Sequence, residues 1–259
     1  MASRIWIPGV EADGARRRVM RGGLALALAA MSRGAWPLSV KTRAIFGDDG
    51  YPPVVYLQQG RPQGFLVDVL RRSEAHLHDR FDIQLMPWKR AYVLALRGQG
   101  GLIGVSRNQE RETLFDFSRP VYNDDIRVVV LKGKAFPFRD LKDLQGRRIG
   151  GVSGASYGEQ VDAAIRDGVI LVDRDIGQVS RLRKLLAGHL DAAFIGNGEL
   201  GLGWLMSSNA ELRLHRDEFE LLPKPLTSDP LHLAFLKSMQ EREFLDAFDR
   251  ATKELGLQV

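Results

Sequence analysis

No cysteine occurs among the 259 residues of this chain. The chain therefore cannot form a disulfide, ligate a metal through a thiolate, use a thiol nucleophile or carry a lipid on an N-terminal cysteine. A chain of this length can bury an adequate core without covalent cross-links. The absence of disulfides is therefore compatible with export from the cell.

The chain also lacks a long apolar run and a charge imbalance in its main part. Its one extended apolar stretch, Gly22–Met31, is too short to cross a bilayer as a helix. Six of the 37 basic residues and two of the 32 acidic residues lie in residues 1–35. The other 31 basic and 30 acidic residues nearly balance, so the net charge of +5 does not predict nucleic-acid binding.

Residues 1–35 have the order of regions found in a secretory signal peptide, because the basic segment Arg16–Arg21 precedes the apolar stretch and small residues follow it. We predict cleavage between Ala29 and Trp36 and a mature protein in the periplasm without a lipid anchor. A buried N-terminal helix is the alternative. The signal type stays open between a twin-arginine signal and a general-secretion signal that starts at Met20.

Signatures of several enzyme classes are missing. No G-x-S-x-G motif occurs, and the glycine-rich segment Gly196–Gly201 has neither the lysine of a phosphate-binding loop nor a dinucleotide fingerprint. His76 and His78 are spaced closely enough to share a metal, although solvated histidines at a helix end are commoner. We expect no enzymatic activity, no metal and no organic cofactor.

Strand and helix patterns alternate along the chain, which is typical of an α/β fold with a sheet covered on both faces. In the first part, the predicted strands are Leu38–Phe46, Val54–Leu57, Phe81–Met86 and Leu102–Val105, and the predicted helices are Gly64–His78 and Lys89–Arg97. In the second part, the predicted strands are Ile126–Leu131, Arg148–Val152, Val169–Val172 and Ala192–Ile195, and the predicted helices are Tyr157–Arg166 and Gln178–Ala187.

A last strand, Leu231–Leu236, and the amphipathic helix Gln240–Leu255 have no later partner in the sequence. We expect them to return to the first part. This predicts one lobe of residues 36–129 with 226–259 and a second lobe of residues 130–225. Two crossing strands, near Val128–Gly133 and Leu221–Thr227, would join the lobes and leave a hinged cleft.

Polar side chains follow the strand Leu102–Val105 at its carboxyl end, where open α/β sheets bind ligands. Arg111 presents a rigid fork of donors that matches a carboxylate, and Ser106 adds a hydroxyl. A surface ion pair is the alternative for Arg111, and a helix N-cap is the alternative for Ser106.

Seven short motifs in this order resemble those of one receptor family: Tyr51-Pro52-Pro53, Gly64-Phe65-x-Val67-Asp68, Pro87-Trp88-x-x-Ala91, Ser106-x-x-x-x-Arg111, Phe115-Asp116-Phe117-Ser118, Leu144-x-Gly146 and Asp191-Ala192-Ala193-Phe194. The family is the bacterial extracellular solute-binding proteins, family 3, the amino-acid-type receptors of ABC importers. The resemblance implies a two-lobe periplasmic-binding-protein-like (type II) fold that holds its ligand between the lobes.

The resemblance also implies roles for individual residues. Arg111 matches the arginine that holds the ligand's carboxylate, and Ser106 matches a small polar contact. Tyr51 and Trp88 match aromatic contacts, with core packing as the alternative for each. The remaining predicted ligand contacts are Asp48 against a basic ligand, Gly104 beside Ser106, Ala155 and Ser156 in the loop of the second lobe, and Asn197 near the ammonium site.

The chain departs from the family pattern where a carboxylate normally receives the ligand's ammonium group. Gly196 stands there and the next residue, Asn197, is neutral. Gly104 also replaces the usual Ser or Thr. A buried ammonium without a counter-charge is costly, so we expect a carboxylate-bearing ligand that need not be a standard α-amino acid, unless Glu199 or Asp48 replaces the missing charge.

The expected function is capture of a small carboxylate-bearing solute for delivery to the membrane permease of an ABC transporter, by a monomer that binds no nucleic acid. Two alternatives stay open. One is a periplasmic dehydratase or lyase on the same scaffold, with Glu199 as its acid or base. The other is a sensory or accessory binding module without a transport partner.

Overall fold

The computed structural model describes residues 40–259, so the predicted signal peptide lies outside the described residues. The described part contains thirteen strands: β1 Thr42–Asp48, β2 Gly50–Tyr51, β3 Val55–Gln58, β4 Arg61–Gln63, β5 Arg80–Met86, β6 Gly101–Ser106, β7 Phe115–Phe117, β8 Tyr122–Leu131, β9 Arg148–Val152, β10 Leu171–Asp175, β11 Ala192–Ile195, β12 Phe219–Leu221 and β13 Thr227–Leu236. It contains eight α-helices: α1 Phe65–Leu77, α2 Trp88–Leu96, α3 Gln109–Leu114, α4 Glu159–Arg166, α5 Gln178–Leu186, α6 Gly198–Ser208, α7 Ala210–Leu214 and α8 Arg242–Glu254.

Ten of the strands form one mixed sheet, in which eight follow the order β10-β9-β11-β8-β13-β6-β1-β5. The short strands β12 and β7 pair with β8 and β13, and β2, β3 and β4 form a small separate sheet. The pairs β1–β5, β1–β6, β9–β10 and β9–β11 are parallel. Between these two parallel groups lies the antiparallel pair of β8 and β13.

The hydrophobic core falls into separate clusters on either side of this central pair. In the first half of the fold (residues 40–122 and 231–259), α1 and α8 pack on one face of the sheet and α2 packs on the other. Ile45 and Phe46 of β1 are both buried, but they belong to the clusters on opposite faces. This explains why the first half is covered by helices on both faces.

The second half (residues 126–226) repeats this plan. Val128 of β8 packs in the cluster that contains α4, whereas Val129 packs in the cluster that contains α5, α6 and α7. Phe194 and Ile195 of β11 divide in the same way. Successive residues of these strands are therefore buried on both faces, as the continuous apolar runs in the sequence predict.

The two halves are joined by β8 and β13, the strands that run from one half into the other. The point where these two strands pair is called the crossing below. Residues 122–126 of β8 pair with residues 231–227 of β13, and from Arg127 onward β8 pairs with β11 and then β12. The crossing on β8 therefore lies a few residues before the predicted segment Val128–Gly133. The lobe boundaries at 129/130 and 225/226 stay a prediction.

A β-bulge in β6 controls the direction of Ser106. Val105 pairs with His232 and Ile103 pairs with Leu233, which leaves Gly104 as the extra residue, with a φ of +77°. Glycine suits this conformation, which most side chains avoid. Because one extra residue reverses the alternation, Val105 joins the cluster beneath α2 and Ser106 turns to the opposite face.

Candidate functional site

A cavity of about 80 Å³ lies at the crossing and is lined from both halves. This volume admits several water molecules or a small polar group. Its lining comprises Asp48, Gly50, Tyr51, Trp88 and Ser106 of the first half, Asp124, Ile126, Asp229 and Leu231 of the crossing strands, and Val152, Ala155, Ser156, Tyr157, Gly177, Gln178, Arg181 and Gly196 of the second half.

The floor of the cavity is one face of the crossing strands. Asp124 and Asp229 are direct cross-strand partners, so their side chains lie on the same face. Ile126 and Leu231, two residues further along each strand, line the cavity as well. The carboxyl of Asp229 accepts a hydrogen bond from the Ser106 hydroxyl, which the bulge has turned toward it.

Three carboxyl groups face this cavity, those of the buried Asp124 and Asp229 and of the half-buried Asp48, and desolvation is the main cause of their raised pKa values. Desolvation raises the pKa of Asp48 and of Asp229 to about 7 and that of Asp124 to about 6. Hydrogen bonds from the Gly50 N–H to Asp48 and from the Asn197 N–H to Asp124 lower these values only in part. Near neutral pH the site therefore holds carboxyl groups that are poised between their neutral and ionised forms.

The space beside Gly196 is filled by an aromatic side chain. A Cβ atom at Gly196 would collide with the Tyr51 hydroxyl and ring. That hydroxyl donates a hydrogen bond to Asp124, and burial together with the Asp124 charge raises the pKa of Tyr51 well above its usual value. The carboxyl group nearest to this point therefore comes from the crossing strand β8 and not from position 196.

Helix α5 contributes an amide and a guanidinium to the wall. The Gln178 side chain is 3% exposed, and its Oε1 accepts a hydrogen bond from the Gly196 N–H at 3.2 Å. Its Nε2 has no hydrogen-bond partner in the part of the chain that the structure describes. Arg181 is fully buried, binds both carboxylate oxygens of Asp175 at 3.1 Å and donates to the Phe194 carbonyl, so each of its three side-chain nitrogens already has an acceptor.

Arg111 lies beside the cavity but does not line it. One guanidinium nitrogen donates to the Ser106 carbonyl at 2.9 Å, and the other donates across the cleft to the Gly154 carbonyl at 3.2 Å. The Trp88 indole donates to the same Gly154 carbonyl at 2.9 Å. Asn108 reaches Ser156 and Asp162 at 3.2 Å, so this loop of the second half is bound to the first half at several points.

Six of the nine predicted site residues line the cavity: Asp48, Tyr51, Trp88, Ser106, Ala155 and Ser156. The other three do not. Gly104 forms the bulge, Arg111 binds two backbone carbonyls, and the Asn197 side chain accepts a hydrogen bond from the Tyr122 hydroxyl. Direct ligand contact by all nine residues stays a prediction.

Sequence reasoning missed four polar residues of the lining, namely Asp124, Asp229, Gln178 and Arg181. The first two lie on strands whose register brings them together only in the fold. The signal that the sequence did offer is an acidic residue within each crossing strand, because an unpaired charge inside a buried strand is rarely structural.

The residues considered for other chemistry lie elsewhere. Glu199 is exposed and lines a separate groove with Leu202 and Arg213. His76 and His78 are exposed at the end of α1. Within residues 40–259, no group of three or more His, Asp or Glu side chains is arranged to hold a metal ion. None of the helices described is long and apolar enough to cross a membrane.

The fold and the cleft define a periplasmic-binding-protein-like (type II) protein. The profile of the bacterial extracellular solute-binding proteins, family 3, matches residues 44–256, and this chain belongs to that family. The predicted family and fold class are confirmed. No curated protein sequence matches the chain.

Several solved structures have the same fold at low sequence identity. An ancestral arginine-binding protein bound to arginine is 20% identical, with a TM-score of 0.69, over 83% of this chain and 92% of that one. A histidine kinase sensor domain with similarity to periplasmic binding proteins is 18% identical, with a TM-score of 0.70, over 84% and 92%. The arginine-, lysine-, histidine-binding protein ArtJ from Geobacillus stearothermophilus is 21% identical, with a TM-score of 0.67, over 83% and 89%.

Proposed function

We propose that this protein is a periplasmic receptor that captures a small amino-acid-like solute in the cleft and delivers it to the permease of an ABC importer. The observation that carries the proposal is the cavity at the crossing of β8 and β13, which both halves of the fold line with polar side chains. Solutes bind in such clefts when a few convergent polar groups fix their orientation. The monomeric state and the transport partner are parts of the proposal.

Binding of the solute's carboxylate is assigned to Arg111 in this proposal. Its contact with the Gly154 carbonyl crosses the cleft, so a movement of the second half away from the first half would release one guanidinium nitrogen. The contact with the Ser106 carbonyl lies within the first half and would keep the side chain in place. A carboxylate that enters the cleft would then replace Gly154 as the acceptor.

A thermal-shift screen of the purified protein against amino acids, polyamines, dicarboxylates and aromatic acids tests the proposal. A solute that binds only the folded state raises the melting temperature. At a solute concentration 100 times the dissociation constant, binding stabilises the folded state by about 2.7 kcal/mol. We expect a shift with an amino-acid-like compound, and a smaller shift in Arg111→Lys, which keeps the charge but loses the fork. No shift with any compound would contradict the receptor function.

Arg107→Lys is the matched control for this screen. Arg107 is exposed, lies four residues before Arg111 and pairs with Glu112 at the surface. We expect the same ligand-induced shift as in the wild type. An equal loss in both variants would contradict the specific role of Arg111.

A sensory role is the second candidate, because a histidine kinase sensor domain has the same fold with a TM-score of 0.70. Binding in the cleft would be the same in both roles, so the output distinguishes them. Uptake of radiolabelled solute that depends on the protein supports import, whereas solute-dependent kinase activity without uptake supports sensing. The dehydratase alternative has less support, because Glu199 lies outside the cleft cavity.

A further inference from the structure

Two aspartates oppose each other at the floor of the cavity without a cation between them. Asp124 and Asp229 are cross-strand partners, and both side chains are about 95% buried. Like charges at such positions destabilise a sheet, and a buried carboxylate is costly unless a cation or several donors compensate it. Asp48 faces the same cavity and adds a third carboxyl group.

The charges of Arg111 and Arg181 lower the pKa values of Asp229 and Asp48 in part, but neither guanidinium forms an ion pair with these acids. Arg181 is bound to both oxygens of Asp175 and to the Phe194 carbonyl. Arg111 is bound to the carbonyls of Ser106 and Gly154. Among residues 40–259, the hydrogen-bond donors to Asp124 and Asp229 are the Tyr51 and Ser106 hydroxyls and one backbone N–H.

Gln178 provides an independent indication that a ligand belongs in this cavity. Gln178 is buried and lines the same cavity, its Oε1 accepts from the Gly196 N–H, and its Nε2 has no acceptor among residues 40–259. Exchanging the two atoms of the amide would place its NH₂ group against the Gly196 N–H, so the unpaired donor cannot be removed in that way. A molecule bound in the cavity could supply the acceptor that this buried donor lacks.

We propose that Asp124 and Asp229 form the subsite for a cationic group of the solute, an ammonium or a guanidinium, while Gln178 donates to an acceptor elsewhere on the same molecule. This inference rests on the proposed receptor function and names its substrate class. The cation is organic, since the described residues offer no metal-binding cluster. The family pattern places a carboxylate for the ligand's ammonium group where this chain has Gly196, and Tyr51 occupies that space here. In the proposal, the carboxylates of Asp124 and Asp229 replace it.

Pairs of compounds that differ only in charge test this subsite. Calorimetric titrations of the full chain at pH 8 would compare L-arginine with L-citrulline, putrescine with 1,4-butanediol, and choline with 3,3-dimethyl-1-butanol. We expect at least one cation to bind, and its uncharged partner to bind at least 10-fold more weakly. Asp124→Asn and Asp229→Asn should each weaken binding of that cation by about 10- to 100-fold.

Asp125→Asn is the matched control, because Asp125 is the next residue of β8, is half exposed and pairs with Arg127 at 2.9 Å. It should bind as the wild type does, and circular dichroism would show whether all three variants are folded. Equal or tighter binding of the uncharged or acidic compounds, or unchanged cation binding in both Asn variants, would overturn the subsite but leave the receptor function intact. No binding by any cation, neutral compound or acid would overturn both proposals.

Discussion

Gly196 and Tyr51 compete for one volume at the edge of the cavity. A methyl group at position 196 would overlap the Tyr51 hydroxyl and ring, so Gly196→Ala should destabilise the protein by about 1–3 kcal/mol. Denaturant unfolding would measure this change, and the cost should fall when Tyr51 is also replaced by alanine. Equal costs of Gly196→Ala in both backgrounds would contradict the overlap.

Gly203→Ala is the control for this substitution. Gly203 is exposed in α6, and a Cβ atom there would have nothing within 4 Å. Alanine is the better helix former, so the variant should be more stable by about 0.5–1 kcal/mol.

Asp229 should lower the stability of the unliganded protein as the pH rises. Its folded-state pKa of about 7 lies above the ordinary value of 3.8, so the folded state binds the proton more tightly between these values. The contribution of Asp229 to stability is therefore full below about pH 4 and is lost as the pH rises through about 7. Asp229→Asn removes this loss and should stabilise the protein by about 2–4 kcal/mol at pH 8, with a smaller gain as the pH falls toward 4.

Urea unfolding of the wild type and Asp229→Asn at pH 4.5 and pH 8 would measure this difference. Asp125→Asn serves as the control, and we expect it to change stability by less than about 0.5 kcal/mol at both values. A gain from Asp229→Asn that is the same at both pH values would contradict the burial of an ionisable group at this site.

A site residue could be predicted from the sequence when it lies in a short motif. It could not be predicted when strand pairing alone brings it to the site. Ser106 and Trp88 were found because each follows or begins a recognisable element. Asp124 and Asp229 were missed because their proximity depends on the register of two strands that are far apart in sequence. Arg111 was found, but the contact of its guanidinium with Gly154 belongs to tertiary structure.

At the scale of the element, a buried ion pair adds to the apolar packing that holds α5 against the sheet. Arg181 binds Asp175 at the end of β10 and the carbonyl of Phe194 in β11, and both side chains of the pair are 2% exposed. Arg181→Met would leave Asp175 buried without its partner and should cost about 3–5 kcal/mol. The double variant Arg181→Met, Asp175→Leu should recover most of this loss, because no buried charge then remains.

Thermal or denaturant unfolding of both variants would test this attachment. If the single variant were as stable as the wild type, the ion pair would not contribute to holding α5 against β10 and β11.

Elements with a strong local pattern were predicted closely. Two predicted strands, Arg148–Val152 and Ala192–Ile195, have the observed bounds, because short apolar runs between turn residues determine them. Helix α6 was missed, since its three glycines Gly198, Gly201 and Gly203 favour a loop on local propensity. Packing of Leu205 and Met206 into the second-half core overrides that propensity.

The start of β8 was also misplaced. The prediction began at Ile126, whereas the strand begins at Tyr122. Residues 123–125 are polar and were therefore interpreted as outside the strand. Their pairing with β13 supplies the hydrogen bonds that local sequence cannot reveal, and it is this extension that brings Asp124 opposite Asp229.

At the scale of the whole molecule, contacts across the cleft close its outer edge. The Gly154 carbonyl accepts from both Trp88 and Arg111, and Tyr56 packs edge-to-face on Trp204 with ring centroids 5.0 Å apart. A solute that reaches the cavity must therefore separate these groups, and their re-formation around it would exclude water.

Proton release should accompany cation binding, because a bound cation favours the ionised carboxyl groups. The charges that act on these carboxyl groups are those of Asp49, Asp125, Asp162, Arg111 and Arg181. Asp125 is the next residue of β8 after Asp124, so its side chain points to the other face of the strand. Within residues 40–259, no histidine lines the cavity, so we assign the proton release to the carboxyl groups. Affinity for a cation should rise with pH and level off above about pH 7.

The most direct test of this account is the affinity of L-arginine and L-citrulline, or another of the charged and uncharged pairs that binds, at pH 8 and pH 5. A guanidinium stays charged over this range, so only the protein's carboxyl groups titrate. The account predicts that the cation binds about 100-fold more weakly at pH 5 for each proton released from a group with a pKa of about 7, and about 10-fold more weakly for a pKa of about 6. Binding of the uncharged partner should hardly change. Cation binding that is equally tight at both pH values would contradict the claim that buried carboxyl groups at the crossing strands receive the solute.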